Sequence, residues 1–420
     1  MKLKNYLLAF KIKELRKKIL FIFFIFAIFR LLANIPIPGV DKEAVKEFFS
    51  KFQAFGLLNL FTGGALERIS IVMLGLGPYI IAIVILQLLT LIFPSLEKLY
   101  KEGGREGREK FEQYGRILTL PLCIFQSFGM LQLFVRQGIL PPFSPLGLIS
   151  SVLTISAGTL LLMWLGELIS EKGLGNGVSL LIFAGIAADF PNNLFQILST
   201  FESTQIFSLL LFFAISFLII IGVCTVNEAR RKIPITYAKR VRGTRLFGGV
   251  STYLPIPLNP AGVMPIIFAL SLLTFPSTIA HFFSGNPIAQ SVVNFFNNFL
   301  IHSILYFLLV FVFTFFYTFV IFDPKTLSEN LQKFGGFIPG IRPGKQTQEY
   351  LSFVLNRILV FGGIFLGFIA ISPQIVQSIT HVQAFSFLVG GTSLLIIVSV
   401  VLDTISKLKA EIEMREYDKI

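Results

Sequence analysis

The sequence predicts an all-α polytopic membrane protein, with ten transmembrane helices arranged as two five-helix halves of opposite orientation. Three observations carry this. The chain is 54% hydrophobic and only 14% charged, with mean hydropathy +0.78, which leaves too little polar surface for a soluble globule. Its apolar residues gather into runs near 19–35, 71–93, 117–135, 147–166, 178–190, 206–226, 261–283, 299–322, 358–372 and 385–402. Lys and Arg crowd alternate gaps between those runs, the pattern that holds basic loops on the cytoplasmic side.

The charge pattern orients every span. Lys2, Lys4, Lys11, Lys13, Arg16, Lys17 and Lys18 precede the first run, and basic residues return at Lys98–Arg116, Arg230–Arg245, Lys325–Arg357 and Lys407–Lys419. The gaps 137–146, 191–205, 284–298 and 374–384 contain neither Lys nor Arg. Starting inside and crossing ten times leaves both termini in the cytoplasm. The net charge of +13 is therefore largely topological rather than a sign of nucleic-acid binding. After Lys18 the first run leads into Ile-Pro-Ile-Pro without a small-residue cleavage site, so a cleavable signal peptide is not expected.

Most runs match the 17–25 helical residues that a bilayer requires; 178–190 and 358–372 are short and must extend into their flanks or be wrapped by neighbours. The run 403–418 mixes acids and bases at helical spacing and reads as a solvated helical tail. Five spans precede residue 205 and five follow it. An odd number per half requires that the halves, 1–205 and 206–420, lie in opposite orientations, an arrangement that places a pathway between them.

Residues 56–70 depart from this regularity. They are apolar but broken by Gly63, Gly64, Glu67 and Arg68, and a full span follows from Ile71. Two readings fit: an external amphipathic loop, or a short re-entrant segment that protein or a water-filled cavity must surround. The large loops 227–258 and 323–357 also exceed topological need. In the first, Ile233, Ile235 and Tyr237 alternate like a hairpin strand beside Arg230, Arg231, Lys232, Lys239 and Arg240. In the second, Pro and Gly between Gly335 and Gly344 forbid regular helix and present Arg342 on a stiff turn, with Lys345 next to it. Both loops suit anionic lipid headgroups, or else RNA or an acidic cytosolic partner.

Little chemistry is legible. Cys123 and Cys224 sit far apart inside apolar runs and read as small hydrophobes; His281, His302 and His381 are isolated and read as structural. Gly173-Leu-Gly-Asn-Gly177 lacks the Lys-Ser/Thr ending of a phosphate loop, and no cofactor or metal is expected. An intramembrane enzyme would need a Ser/His, paired Asp or His-rich constellation inside a span, and none is present. An ion-coupled secondary transporter, the alternative function, would need ionisable groups at mid-membrane. Here Arg30 stands alone within a span, while Glu167 and Asp189 lie at span ends.

Ordered motifs along nearly the whole chain resemble the SecY family, the channel subunits of Sec protein translocases. They include Ile35-Pro-Ile-Pro-Gly39, Phe61-Thr-Gly-Gly-Ala-Leu66, Gln87-Leu-Leu-Thr90, Gly175-Asn-Gly177, Ile182-Phe-Ala-Gly-Ile186, Arg231-Lys-Ile-Pro234, Tyr237-Ala-Lys-Arg240, Ser251-Thr-Tyr-Leu-Pro255, the Gly335–Gly344 turn and Gly390-Gly-Thr-Ser-Leu-Leu395. The resemblance implies a protein-conducting channel without enzymatic activity. It implies a plug over about 57–69, with Asn59, Leu60, Phe61, Thr62, Gly63, Gly64, Ala65 and Leu66 at its centre. It places a pore ring at Ile80, Val84, Ile182, Ile186, Ile267 and Ile396, Val84 being shorter than the isoleucine common at that place. The helices from Ile71 and Ala261 fall where the family opens sideways to lipid. The two loops correspond to those that meet the ribosome and the SecA motor, with Arg240 and Arg342 most closely tied to that contact. SecE-like and SecG-like subunits, signal sequences and nascent polypeptides are the further partners implied, in a bacterial plasma membrane or, as the other possibility, a thylakoid.

Overall fold

The computed structural model describes residues 12–38, 45, 59, 62–101, 103–199, 206–237, 240–242, 245–247, 251–282, 287–380 and 391–417. Among the described residues each apolar run overlaps a helix: α1 (Lys13–Ala33), α2 (Gly77–Ile92), α4 (Gly104–Arg136), α5 (Pro145–Lys172), α6 (Gly177–Ser199), α7 (Ile206–Glu228), α8 (Met264–Phe282), α10 (Phe299–Ile321), α12 (Lys345–Thr380) and α13 (Gly391–Tyr417). Residues 385–390 of the last run lie outside the described residues, and five of these helices are by themselves long and apolar enough to cross a membrane. Shorter helices described between them are α3 (Pro94–Lys101), α9 (Pro287–Asn297) and α11 (Pro324–Lys333).

Helix limits follow local chemistry more than hydropathy. The second run becomes helical only at Gly77, six residues later than the apolar pattern predicts, because Gly75 adopts φ +56° and Pro78 sets the first turn. The two short runs are extended by their polar flanks: α6 continues to Ser199 through Pro191, and α12 covers 36 residues from Lys345 through Pro373. The expected helical tail continues the last apolar run within α13, on to Tyr417. Gly173–Gly177 forms the tight turn between α5 and α6, where a Cβ on Gly177 would lie on the Gly166 carbonyl and Ser170 Oγ accepts from the Gly177 N–H at 2.8 Å. Its glycines serve close backbone approach.

Packing follows two sets of helices. Helix α1 rests on α5 and α6, α2 on α4, α4 on α5, and α5 on α6; separately, α8 rests on α10, α10 on α12, and α7 on α12 and α13. The sets meet where α8 contacts α2 and α4, and where α13 contacts α6. One apolar core runs through both sets, from Leu15 and Ile22 of α1 to Leu395 and Val400 of α13. Many large apolar side chains on the outside stay exposed, among them Phe217 and Leu218 of α7 and Leu300 and Ile304 of α10, as lipid-facing surface requires.

The two large loops join in one platform. Strand β1 (Arg230–Tyr237) pairs antiparallel with β4 (Ser251–Pro257), opposing Ile233 to Leu254, and its other edge takes β5 (Gly336–Phe337) from the second loop. A separate antiparallel pair joins β2 (Arg240–Arg242) and β3 (Arg245–Phe247). The predicted alternation is met: Ile233 and Ile235 are buried and their neighbours face out. Ile233, Ile256, Ile338, Leu351, Leu355 and Ile358 give the platform its own apolar core, rooting it on the start of α12.

Candidate functional site

The six predicted ring positions lie on four helices. Ile80 and Val84 lie one turn apart on α2, and Ile182 and Ile186 one turn apart on α6, so each pair shares a helix face. Ile267 comes from α8 and Ile396 from α13. Val84, Ile182, Ile186, Ile267 and Ile396 are all buried in the single core common to both helix sets, with Ile80 packed against it. Two helices of each set thus contribute only branched alkyl groups, with no hydrogen-bonding or charged side chain among them. Three of the six, Ile80, Ile182 and Ile267, line one cavity of about 50 Å³ together with Thr62, Leu76 and Leu270.

Thr62, in the predicted plug segment, lines this cavity. Leu60 and Phe61 lie outside the described residues; Asn59 and Thr62 on either side are helical, and turns follow over 63–69 and 71–76 around a Pro36–Ser70 bridge. Gly63 and Gly64 end the helical conformation after Thr62, since both take positive φ, +65° and +75°, which no regular right-handed helix contains. Residues 62–66 are buried; Ala65 joins the core that contains the ring, while Leu66 packs into a second cluster with Ile69, Met73 and Phe134. Asn59 stays partly exposed and holds the segment's entry: its side chain donates to Glu67 Oε2 at 3.0 Å and accepts from the Glu67 N–H at 2.9 Å.

A polar cluster borders the same segment. Arg30 Nη1, near the end of α1, donates to the Gly63 carbonyl at 3.0 Å and to Asp189 Oδ1 of α6 at 3.2 Å. Arg68 Nη2 lies 3.7 Å from the same carboxylate oxygen. Arg30 and Asp189 stand out in the sequence as charges in or beside spans. Their pairing, and the part of Arg68, become visible only in the fold.

The remaining predicted residues lie on the platform. Arg230, Arg231 and Lys232 are exposed along β1; Arg342 and Lys345 are exposed on the turn after β5. Pairing of Thr236 and Tyr237 with Phe337 and Gly336 joins the two loops at the far end of β1 from Arg230–Lys232. The Arg342 carbonyl accepts from Thr347 Oγ1 at 2.9 Å and the Gly344 carbonyl from Ser328 Oγ at 2.7 Å, which fixes the turn. Arg240 opens β2, opposite Phe247, and Lys239 falls outside the described residues.

The SecY family model matches residues 70–405. Protein translocase subunit SecY of Thermus thermophilus is 41% identical over 99% of this chain and 97% of its own length; that of Aquifex aeolicus is 41% identical over 99% of both, and that of Thermotoga maritima 42% over 98% and 96%. The fold also matches solved structures. One is described as the structure of a protein conducting channel (TM-score 0.66, 18% identity, 93% of this chain and 91% of that one). Another is Sec61 in the canine ribosome–channel complex from the endoplasmic reticulum (TM-score 0.63, 18% identity, 93% and 91%).

Proposed function

Because the chain belongs to the SecY family, we propose that it is the central protein-conducting channel of a Sec translocase, passing unfolded secretory polypeptides across the membrane and releasing transmembrane segments sideways into lipid. The observation that supports this is that Ile80, Val84, Ile182, Ile186, Ile267 and Ile396, all alkyl and drawn from four helices, lie in or against one core shared by both helix sets, with three of them and Thr62 around one cavity; we read them as the pore ring. An empty ring of this kind dewets and blocks ions, yet it offers a passing chain contact without sequence-specific hydrogen bonds. Residues 59–66 act as the plug. Helices α2 and α8, in contact across the two helix sets, act as the lateral gate: an apolar segment gains free energy on leaving water for lipid, so their parting lets it leave. The halves 1–205 and 206–420 move apart as bodies.

The platform supplies docking. Arg230, Arg231 and Lys232 on β1 and Arg342 and Lys345 after β5 present positive charge, and Lys239, outside the described residues, and Arg240 add to it in sequence; such a surface is suited to ribosomal RNA and to the acidic surface of a SecA motor ATPase. SecE-like and SecG-like subunits cover part of the exposed apolar flank in a bacterial plasma membrane, with both termini cytoplasmic. Coupled transport lacks support, since the Arg30 and Asp189 charges neutralise each other beside the plug segment instead of lining a solute site. The test is reconstitution of the purified complex in vesicles with an unfolded precursor, motor and ATP. Precursor should become protease-protected inside; exposed precursor together with uptake of a small solute would favour the transporter reading.

A further inference from the structure

We propose that Asp189 is a positioning residue that keeps the channel sealed by neutralising two arginines and thereby holding the plug segment against α6. The proposal rests on the plug assignment above. The geometry is a closed circuit. Arg30 bridges Asp189 and the Gly63 carbonyl, Arg68 approaches Asp189 from the C-terminal end of the same segment, and Arg68 Nη1 donates to Asn34 Oδ1 at 2.6 Å. Asn34 in turn donates to the Arg30 carbonyl at 2.6 Å. One carboxylate on α6 thus fixes a cation from α1 and a cation from the plug segment, and the α1 cation holds the plug backbone.

Two further features show that the contact is built for close approach. A Cβ on Gly64 would come 2.6 Å from Asp189 Oδ2, and one on Gly63 would come 2.7 Å from the Gly185 Cα. The segment therefore lies directly on the stretch of α6 that carries Ile186, one turn before Asp189. At its far end Ile69 adopts φ +45°, a strained conformation for a β-branched residue. The Ile37 N–H to Ile69 carbonyl bond, 3.0 Å, and the Ile71 N–H to Ile35 carbonyl bond, 3.1 Å, hold it there. The seated segment is thus under strain and clamped by charge.

Charge balance decides what Asp189 does. With its carboxylate, the cluster holds two guanidiniums and one anion; without it, two half-buried like charges face each other at the edge of the segment and repel. Arg30 then turns away from Gly63 and Arg68 is repelled, so the segment lifts. The test uses the full complex reconstituted in vesicles, reading halide leak without precursor. Asp189→Asn should raise the leak about tenfold, Arg68→Gln should raise it less, and Asp189→Glu should stay several-fold below Asp189→Asn. Deleting residues 59–68 should leak by itself, and adding Asp189→Asn to that deletion should change nothing, because both act through one element. A sealed Asp189→Asn channel with a leaking deletion would overturn the latch alone, and so would equal leak from Asp189→Asn and Asp189→Glu. A sealed deletion would overturn the plug assignment itself.

Discussion

Gly64 shows how much of the seal depends on single atoms. At φ +75°, with Asp189 Oδ2 2.6 Å from the place of a Cβ, Gly64→Ala meets both backbone strain and a collision, at a cost of about 1–3 kcal/mol. The variant should insert normally but leak ions, measurable as halide flux in vesicles; a tight seal would contradict the contact. Ile396 is 1% exposed within the ring, and Ile396→Asn should hydrate the constriction, raising ion leak and admitting poorly targeted precursors; unchanged leak would count against the ring. Arg342 is exposed on its turn, so Arg342→Glu should leave insertion intact while motor-driven export falls at least tenfold, as reversal of a docking charge predicts. At this scale the sequence is only partly readable. Arg30 is conspicuous as a charge within a span, but its partner lies 159 residues away, and no local pattern announces that pairing. The ring isoleucines are likewise a few among many in a chain this apolar; family motifs single them out, not their chemistry.

Among elements, legibility follows the cause of each boundary. Runs of apolar side chains mark the long helices among the described residues because lipid demands them. Ends set by backbone conformation are misplaced: α2 begins at Gly77 instead of Ile71 because Gly75 and Pro78 outweigh hydropathy, and α12 outgrows its apolar run because the polar stretch Lys345–Arg357 continues as helix. The β1–β4 pairing is readable in the alternation of Ile233, Ile235 and Tyr237, whereas the joining of β5 to β1, between segments about a hundred residues apart, is not. That joining predicts a separable platform. Ile233→Ala, at a position 1% exposed among Ile256, Leu351 and Leu355, should cost the platform about 2–5 kcal/mol and weaken motor binding while the ion seal stays intact. A leaking channel with normal motor binding would contradict the separation.

The whole molecule joins two helix sets along two seams, α2 and α4 against α8, and α6 against α13. The ring draws on α2, α6, α8 and α13, so any parting of the sets widens it, and the α2–α8 seam is where a segment could leave. The account's central claim is that polypeptide passes through the alkyl ring. The most direct measurement arrests a precursor midway and places a photoreactive residue in turn at Ile80, Ile182, Ile267, Ile396 and the outward-facing Leu218. Adducts at all four ring positions to one short precursor segment, and none at Leu218, are the result expected; adducts at Leu218 with an unlabelled ring would contradict it.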